Sequence, residues 1–411
     1  MIWRIASRNL FRRKKRTIVT AMSVALGIWL AVLAIGTREY GYSRLMAIGA
    51  QLGMGNLSLG GEKFLKNDYQ NLIQNSKATM AKLNSIPEVQ ATYPRLLGEA
   101  YVATAHGDAG VGFIAVSPQH EKPEHNIMMN KMVEGRLVQE GDTLEANIGS
   151  PLAKRLNIGL GDDAIFTAND YKGEVISLSV KITGIFKTHT QTTDTSIIVL
   201  PIKRLRQDLN FPGDTSLFLA IYTHKISQID PLLATLKNDH PPAIGRYFHW
   251  RETLPDMASF VTVDRIGYYA LIIVVGLVVA SGIFSCMIMN VMERRKEIAT
   301  MMAVGLSPMG LMLSIAIESA MISIMGTLLG LLLVGPFYYY LHYIGIDMTP
   351  ILSDQVSLGG IGVGQYLVKA DITQRSFVVI LVLGSLLATI AALGPALKAA
   401  RTSPADALSL D

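Results

Sequence analysis

Four long apolar runs, separated by polar stretches, set the plan of this chain. Residues 17–37, 266–292 and 376–397 carry no charged side chain, and residues 299–341 carry only Glu318. A bilayer core of about 30 Å is crossed by about 20 apolar residues of helix, so each run is long enough to span it. The third run is expected to enter the membrane near Met309. The pattern therefore predicts spans at 17–37, 266–292, 309–341 and 376–397. Between the first two spans, residues 38–265 change to mixed periods. Residues 175–184 alternate Ile176, Leu178, Val180 and Ile182 with Ser177, Ser179, Lys181 and Thr183, which is the period of a strand. Residues 99–105, 111–116, 196–200 and 216–222 also read as strands. Residues 70–85, 150–156, 202–209 and 227–239 read as helices, with Pro87, Pro201 and Pro241 as punctuation. The predicted class is a membrane protein of four transmembrane helices with a large α+β extracytoplasmic domain, in two lobes, inserted between helices 1 and 2.

Charge orients these elements. Arg4, Arg8, Arg12, Arg13, Lys14, Lys15 and Arg16 precede the first span; Arg294, Arg295 and Lys296 lie between spans two and three; Lys398 and Arg401 follow span four. With four spans these clusters share one side, and the positive-inside rule makes that side, with both termini, cytoplasmic. The domain at 38–265 and the loop at 342–375 are then extracytoplasmic (periplasmic). Residues 1–16 intersperse Ile2, Trp3, Ile5, Leu10 and Phe11 with basic residues. That suits an amphipathic elbow in the headgroup layer, either moving span one or simply anchoring it. The first span reads as uncleaved, because it exceeds a signal-peptide apolar region and no small-residue cleavage site follows. A 50% hydrophobic, 17% charged composition agrees with helices in lipid. The basic run reads as a membrane flank, not a nucleic-acid site.

Candidate chemistry is sparse. Cys286 is the only cysteine, so no intrachain disulfide is available. His120, Glu121, Glu124 and His125 read as a solvated loop and Asp162 with Asp163 as a turn; no metal site is expected. There is no G-x-x-x-x-G-K-[ST] phosphate loop, and Gly359, Gly360, Gly362 and Gly364 lack dinucleotide spacing. Glu318 is costly inside a span and needs a partner or water, about 3 kcal/mol by insertion scales. It is either a structural hydrogen-bonding group or a contact that reports movement of a partner. Gly326 and Gly330, four apart, permit close helix approach.

Two cytoplasmic segments carry a resemblance. One runs Glu293-Arg294-Arg295-Lys296-Glu297-Ile298 through Met301-Met302 to Gly305 and Pro308. The other is the tail from Pro395-Ala396 through Arg401 to Pro404 and Leu408. With the order of one span, a large domain and three spans, they resemble the FtsX/MacB superfamily of ABC transporter permeases. Where that pattern usually has Gly after the Ile and Leu-Arg before the Ala, this chain has Ala299 and Met301-Met302. Within the superfamily, the layout and short stretches such as Tyr93-Pro94-Arg95 and Gly135-Arg136-Leu137 are similar to lipoprotein-releasing permeases of the LolC/LolE type.

The resemblance implies a non-catalytic permease subunit in the inner membrane that holds no cofactor, with ATP and Mg on a cytoplasmic ABC ATPase dimer. It also implies a second permease copy or homologue, and a periplasmic lipoprotein carrier or adaptor. The segment 293–308 would couple to the ATPase through Glu293, Arg294, Arg295, Lys296, Glu297, Ile298, Met301 and Met302. On the residues alone, that segment is equally a solvated loop or a short amphipathic helix for a partner's groove. Val24, Ile28, Val32, Ile273 and Leu277 would line an apolar substrate cavity. The implied function is extraction of lipoproteins or other lipid-like substrates from the outer leaflet. The alternative is efflux or mechanotransmission acting on peptides, drugs or envelope hydrolases. A signalling receptor or membrane enzyme is disfavoured, since no kinase, cyclase or catalytic motif is present.

Overall fold

The first apolar run forms helix α1, Lys14–Gly49, and continues into a π-helical turn, Ala50–Met54. These elements belong to a computed structural model that describes residues 14–66, 69–348, 350, 357–358, 361–362 and 367–400. The elbow up to residue 13, the tail from 401, and Gly359, Gly360 and Gly364 lie outside the described residues. The chain divides into two units: residues 1–41, 264–347 and 367–411 form the first, and 42–263 with 348–366 the second.

In the membrane unit, α1 is joined by three further long helices. Numbering all helices in chain order, these are α9 (Pro255–Glu293), α11 (Pro308–Tyr343) and α12 (Gln374–Ala400), with the short α10 (Arg295–Ala303) between α9 and α11. Among the described residues, three helices are long and apolar enough to cross a membrane: Thr17–Met54, Pro255–Glu293 and Pro308–Tyr343. Two of them outrun their apolar cores. Arg38 and Glu39 do not stop α1, because both charges find partners. Arg38 Nε donates to Asp264 Oδ2 at 3.2 Å, and Glu39 Oε2 accepts from Thr373 N–H at 2.8 Å beside the start of α12. The helix then runs on until its glycines, of which Gly53 has φ +104°. Helix α9 starts earlier than its apolar run because Pro255 suits a first helical turn. The core of this unit joins Ala21, Val24, Ile28 and Val32 of α1 to Ile283 and Met287 of α9 and Ile322 of α11.

The second unit is built on a ten-stranded mixed sheet in the order β10-β1-β9-β2-β3-β8-β5-β7-β4, where β4 is Met132–Gly135, β5 Glu145–Gly149 and β10 Arg246–His249, and β6 (Asp163–Asn169) pairs β2 and β7. Its main strands are β1 (Leu57–Gly60), β2 (Val89–Thr104), β3 (Gly107–Val116), β7 (Val175–Phe186), β8 (Ile197–Pro201) and β9 (Phe218–Thr223). Strand β9 is buried at every position. Phe218 and Ala220 enter one apolar cluster while Leu219 and Ile221 enter another. Successive strand side chains point to opposite faces, so the sheet carries a core on each side. That replaces the expectation of two lobes: the 16-residue β2 pairs β9 at Val89–Arg95 and β3 at Leu96–Thr104, making one continuous sheet. The helix expected over 70–85 begins only at Ser76, as α2 (Ser76–Asn84). Ahead of it Asn75 adopts a left-handed conformation (φ 49°) and Ile73 bridges to Ser216.

Candidate functional site

Two features of the membrane unit hold the site residues expected from sequence: the α9–α10–α11 turn and an apolar cavity beside α1. The turn is made by local signals. Arg294, at φ −103° and ψ 15°, breaks α9 from α10. Helix α10 ends in a Schellman arrangement: Leu306 N–H donates to Met301 O and Gly305 N–H to Met302 O, both at 3.0 Å. Gly305 supplies the positive φ of +103° that this ending requires. Ser307 Oγ then accepts from Gly310 N–H at 3.1 Å and caps α11.

The apolar face of α10 is spent inside the chain. Ile298 is buried against Leu311 and Ile315, with Met301 and Met302 packed partly against the same cluster, and Ala299 is buried beside it. The sequence reading, with Ile298, Met301 and Met302 in a partner's groove, therefore needs correction at Ile298. An amphipathic helix buries its apolar stripe on the nearest apolar surface, and here that surface is α11. What remains outward is Glu293, Lys296, Thr300 and an apolar tip of Val304 (84% exposed) and Met309 (73% exposed). Of the side chain of Arg295 nothing is described.

Glu318 has its partners on two sides. Asn290 Nδ2, near the end of α9, donates to Oε1 at 2.9 Å, and Arg294 Nη1 donates to Oε2 at 3.2 Å. Arg294 Nε also donates to Glu297 Oε2 at 3.2 Å. One guanidinium thus bridges the intramembrane carboxylate of α11 and a carboxylate of α10. Gly326 and Gly330 lie higher on α11, against α1. A Cβ at Gly326 would sit 2.6 Å from Val24 Cβ, and one at Gly330 would sit 2.9 Å from Ala25 O, so only glycine allows this approach.

The cavity has a volume of about 240 Å³, and none of its lining residues is charged. Val24 and Ile28 line it from α1, and Ile272, Val275, Gly276 and Val279 from α9. Val32 is buried in the helix core and is not among the lining residues. Ile273 (61% exposed) and Leu277 (65% exposed) point away from the core. The charge-free α9 run shows no contrast between faces, so sequence had no means of choosing Ile272 over its neighbour Ile273. Tertiary contacts choose: α9 approaches α1 where Gly27 faces Val279, and a Cβ at Gly27 would meet Val279 Cγ2 at 2.5 Å. Thr20 Oγ1 lies 2.6 Å from Cys286 Sγ along the same contact.

In the second unit, the loop read as solvated is partly core. Glu121 and His125 are buried, while His120 and Glu124 stay exposed. Glu121 is paired with Arg95, and burial lowers the His125 pKa from its ordinary value. No cluster of His, Cys, Asp and Glu suited to a metal occurs among the described residues.

Long apolar helices around a charge-free cavity, with a capped helical turn between two of them, are the build of a multi-pass membrane protein. More particularly, residues 269–404 match the family described as FtsX-like permease C-terminal. Similar proteins include the ABC transporter permease YtrF of Bacillus subtilis (27% identical, over 56% of this chain and 51% of that protein). Another is the lipoprotein-releasing system transmembrane protein LolC of Xylella fastidiosa (23% identical, over 64% and 63%). A third is the macrolide export ATP-binding/permease protein MacB of Pasteurella multocida (22% identical, over 98% of this chain and 59% of that protein). The chain thus spans about half to two thirds of the length of these relatives. The names these relatives carry are those of ABC transporter permeases.

Proposed function

We propose that the chain is a permease subunit driven by a separate cytoplasmic ATP-binding chain, and that it takes lipid-like or acylated substrates from the outer leaflet of the inner membrane. The charge-free cavity between α1 and α9 carries this reading. An acyl chain leaving the bilayer loses about 0.8 kcal/mol of burial per CH₂ unless apolar protein replaces the lipid. The relation to MacB supports an ATP-binding partner, since that protein is named for ATP binding as well as for permease function. Helix α12 is the fourth span, both termini are cytoplasmic, and two permease subunits, identical or homologous, pair with two ATPase subunits that hold ATP and Mg. Glu293 at the end of α9, the exposed rim of α10 (Lys296, Thr300) and the Val304–Met309 tip face the ATPase.

Photo-crosslinkers at Ile28 and Ile272 in the native complex test the substrate class. Capture of an acylated protein or lipid is expected. Capture of neighbouring permease helices alone, with a water-soluble peptide caught on the 42–263 unit, would replace this reading with efflux of the kind named for MacB. The purified chain alone is expected to hydrolyse no ATP. For orientation, a cysteine at exposed Ser177 is expected to react with an impermeant reagent from outside and one at exposed Lys296 is not; the reverse result overturns the topology.

A further inference from the structure

One end of the apolar cavity is closed by charge. The lining runs from Val24 and Val279 at one end to Ile35 and Tyr268 at the other. One helical turn beyond Ile35 stands Arg38, and one turn before Tyr268 stands Asp264. Steps of three and four residues keep to one face of a helix, so both side chains lie over that end. Arg38 Nε donates to Asp264 Oδ2 at 3.2 Å, and the guanidinium carbon lies 4.6 Å from the centre of the Tyr268 ring. All of these residues belong to the membrane unit.

The pair is only half used. Among the described residues, Nη1 and Nη2 of Arg38 and Oδ1 of Asp264 make no hydrogen bond, and the two side chains are 25% and 51% exposed. The adjacent Glu39 has both carboxylate oxygens engaged, by Thr373 and Ser376. As a plain link between α1 and α9, an ion pair this exposed contributes little to stability. A plain link has no need of a cation set over an aromatic ring, with its terminal nitrogens free, at the mouth of an uncharged cavity.

Depth gives the pair a place. The step from Val24 to Ile35 rises about 16 Å along α1. That is close to half of the hydrocarbon core, which is about 30 Å thick. Neither Arg38 nor Asp264 is stable inside hydrocarbon, so their end of the cavity lies at the head-group layer and the rest is one leaflet deep. A lipid that fills the cavity therefore sets its head on Arg38 and Asp264. A head with net negative charge gains from Arg38 and loses to Asp264, whereas a head with both signs gains from both. The guanidinium fork matches two phosphate oxygens, and a free carboxylate oxygen matches an ammonium.

We propose that this end of the cavity is a head-group site for a zwitterionic phospholipid. Arg38 Nη1 and Nη2 donate to the phosphate, Asp264 Oδ1 accepts from the ammonium, and an acyl chain lies between α1 and α9. The site rests on the lipid-like substrate reading for transport of its occupant, and stands without it for binding.

The test places the full chain in nanodiscs of equimolar phosphatidylethanolamine and phosphatidylglycerol, transfers it to detergent and counts the retained lipid by native mass spectrometry. Phosphatidylethanolamine is expected to be retained about tenfold over phosphatidylglycerol. Equal retention, or an excess of phosphatidylglycerol, overturns the proposal without any variant. Arg38→Gln is expected to lower retained phospholipid about tenfold, and Asp264→Asn to move the ratio toward phosphatidylglycerol. Wild-type behaviour of either variant also overturns it. Ile272→Trp, which fills the cavity, is expected to displace the lipid, whereas Leu277→Trp on the exposed face is not. An equal effect of these two places the lipid on the outside of the helices and removes the site. If the lipid is retained as expected while crosslinkers at Ile28 and Ile272 in the native complex capture only permease helices, the transport reading fails and the site stands. Capture of an acylated protein without phospholipid selectivity keeps the transport reading and removes the site.

Discussion

Each unit of the molecule pairs an arginine with a largely buried carboxylate, and the two pairs are built differently. In the sheet unit, Arg95 and Glu121 have no exposed side-chain surface, and the guanidinium meets one carboxylate and two carbonyls. In the membrane unit, Arg294 and Glu318 keep slight exposure, and the guanidinium divides between Glu318 and Glu297. A closed pair has one low-energy arrangement, because any departure strands a charge away from water. A divided cation can lean toward one carboxylate or the other at small cost.

The strongest way to break the comparison is to strand a charge in the closed pair. Glu121→Ala leaves Arg95 buried and unpaired and is expected to destabilise the sheet unit by about 3–5 kcal/mol. Denaturant unfolding of the full chain in detergent measures this, beside the Arg95→Met, Glu121→Leu double variant, which is expected to lose far less. A smaller effect is expected from Gly326→Val, which drives a side chain into Val24 where α11 meets α1. Overpacking of this kind costs about 1–3 kcal/mol, read as earlier unfolding in a detergent titration with the sheet unit unaffected.

Glu318→Gln sharpens the contrast. It removes the charge that attracts Arg294 and keeps an acceptor for Asn290, so the helices are expected to insert and pack normally. The ATP-binding chain is expected to be retained about tenfold less well in a pull-down, equivalent to about 1.4 kcal/mol. Retention equal to the wild type would make Glu318 a packing group only. Glu297→Lys, which places a cation beside Arg294, is expected to abolish transport in the same assay series without loss of the protein from the membrane.

The smallest effect is a pH dependence confined to the sheet unit. Burial lowers the pKa of His125, and burial likewise lowers that of His249. The unfolded chain therefore takes up protons first as pH falls. Full stability is present above the unfolded histidine pKa of about 6.5 and is lost as pH falls below it toward the depressed folded values. A melting series between neutral pH and about pH 5 measures this. His125→Phe is expected to flatten the series in part, and an unaltered slope would exclude His125 as its source.

Sequence was most legible where one physical demand dominates a stretch. Lipid demands uncharged helix, so the long apolar runs stood out, and alternation over 175–184 identified β7 because one face of that strand is buried. The end of the α10 segment was legible from Gly305 and Pro308, which end and restart helices whatever surrounds them, while its residues read equally as a solvated loop or a short helix. Glu121 and His125 were misread because polarity alone does not distinguish a solvated loop from one folded over a buried arginine 26 residues earlier in the chain.

By itself, then, the sequence determined which segments are apolar enough for a membrane, where α10 stops, and which motif connects α9 to α11. These follow from composition and backbone preference within a few residues. Tertiary structure alone decided which face of α9 meets α1, that Ile298 belongs to its own chain's core, that Arg294 is shared between Glu297 and Glu318, and that Arg95 is buried against Glu121. Each of these depends on groups distant in sequence arriving within hydrogen-bonding or packing distance. A local pattern carries no information about which of several equivalent apolar or charged positions a distant partner will meet.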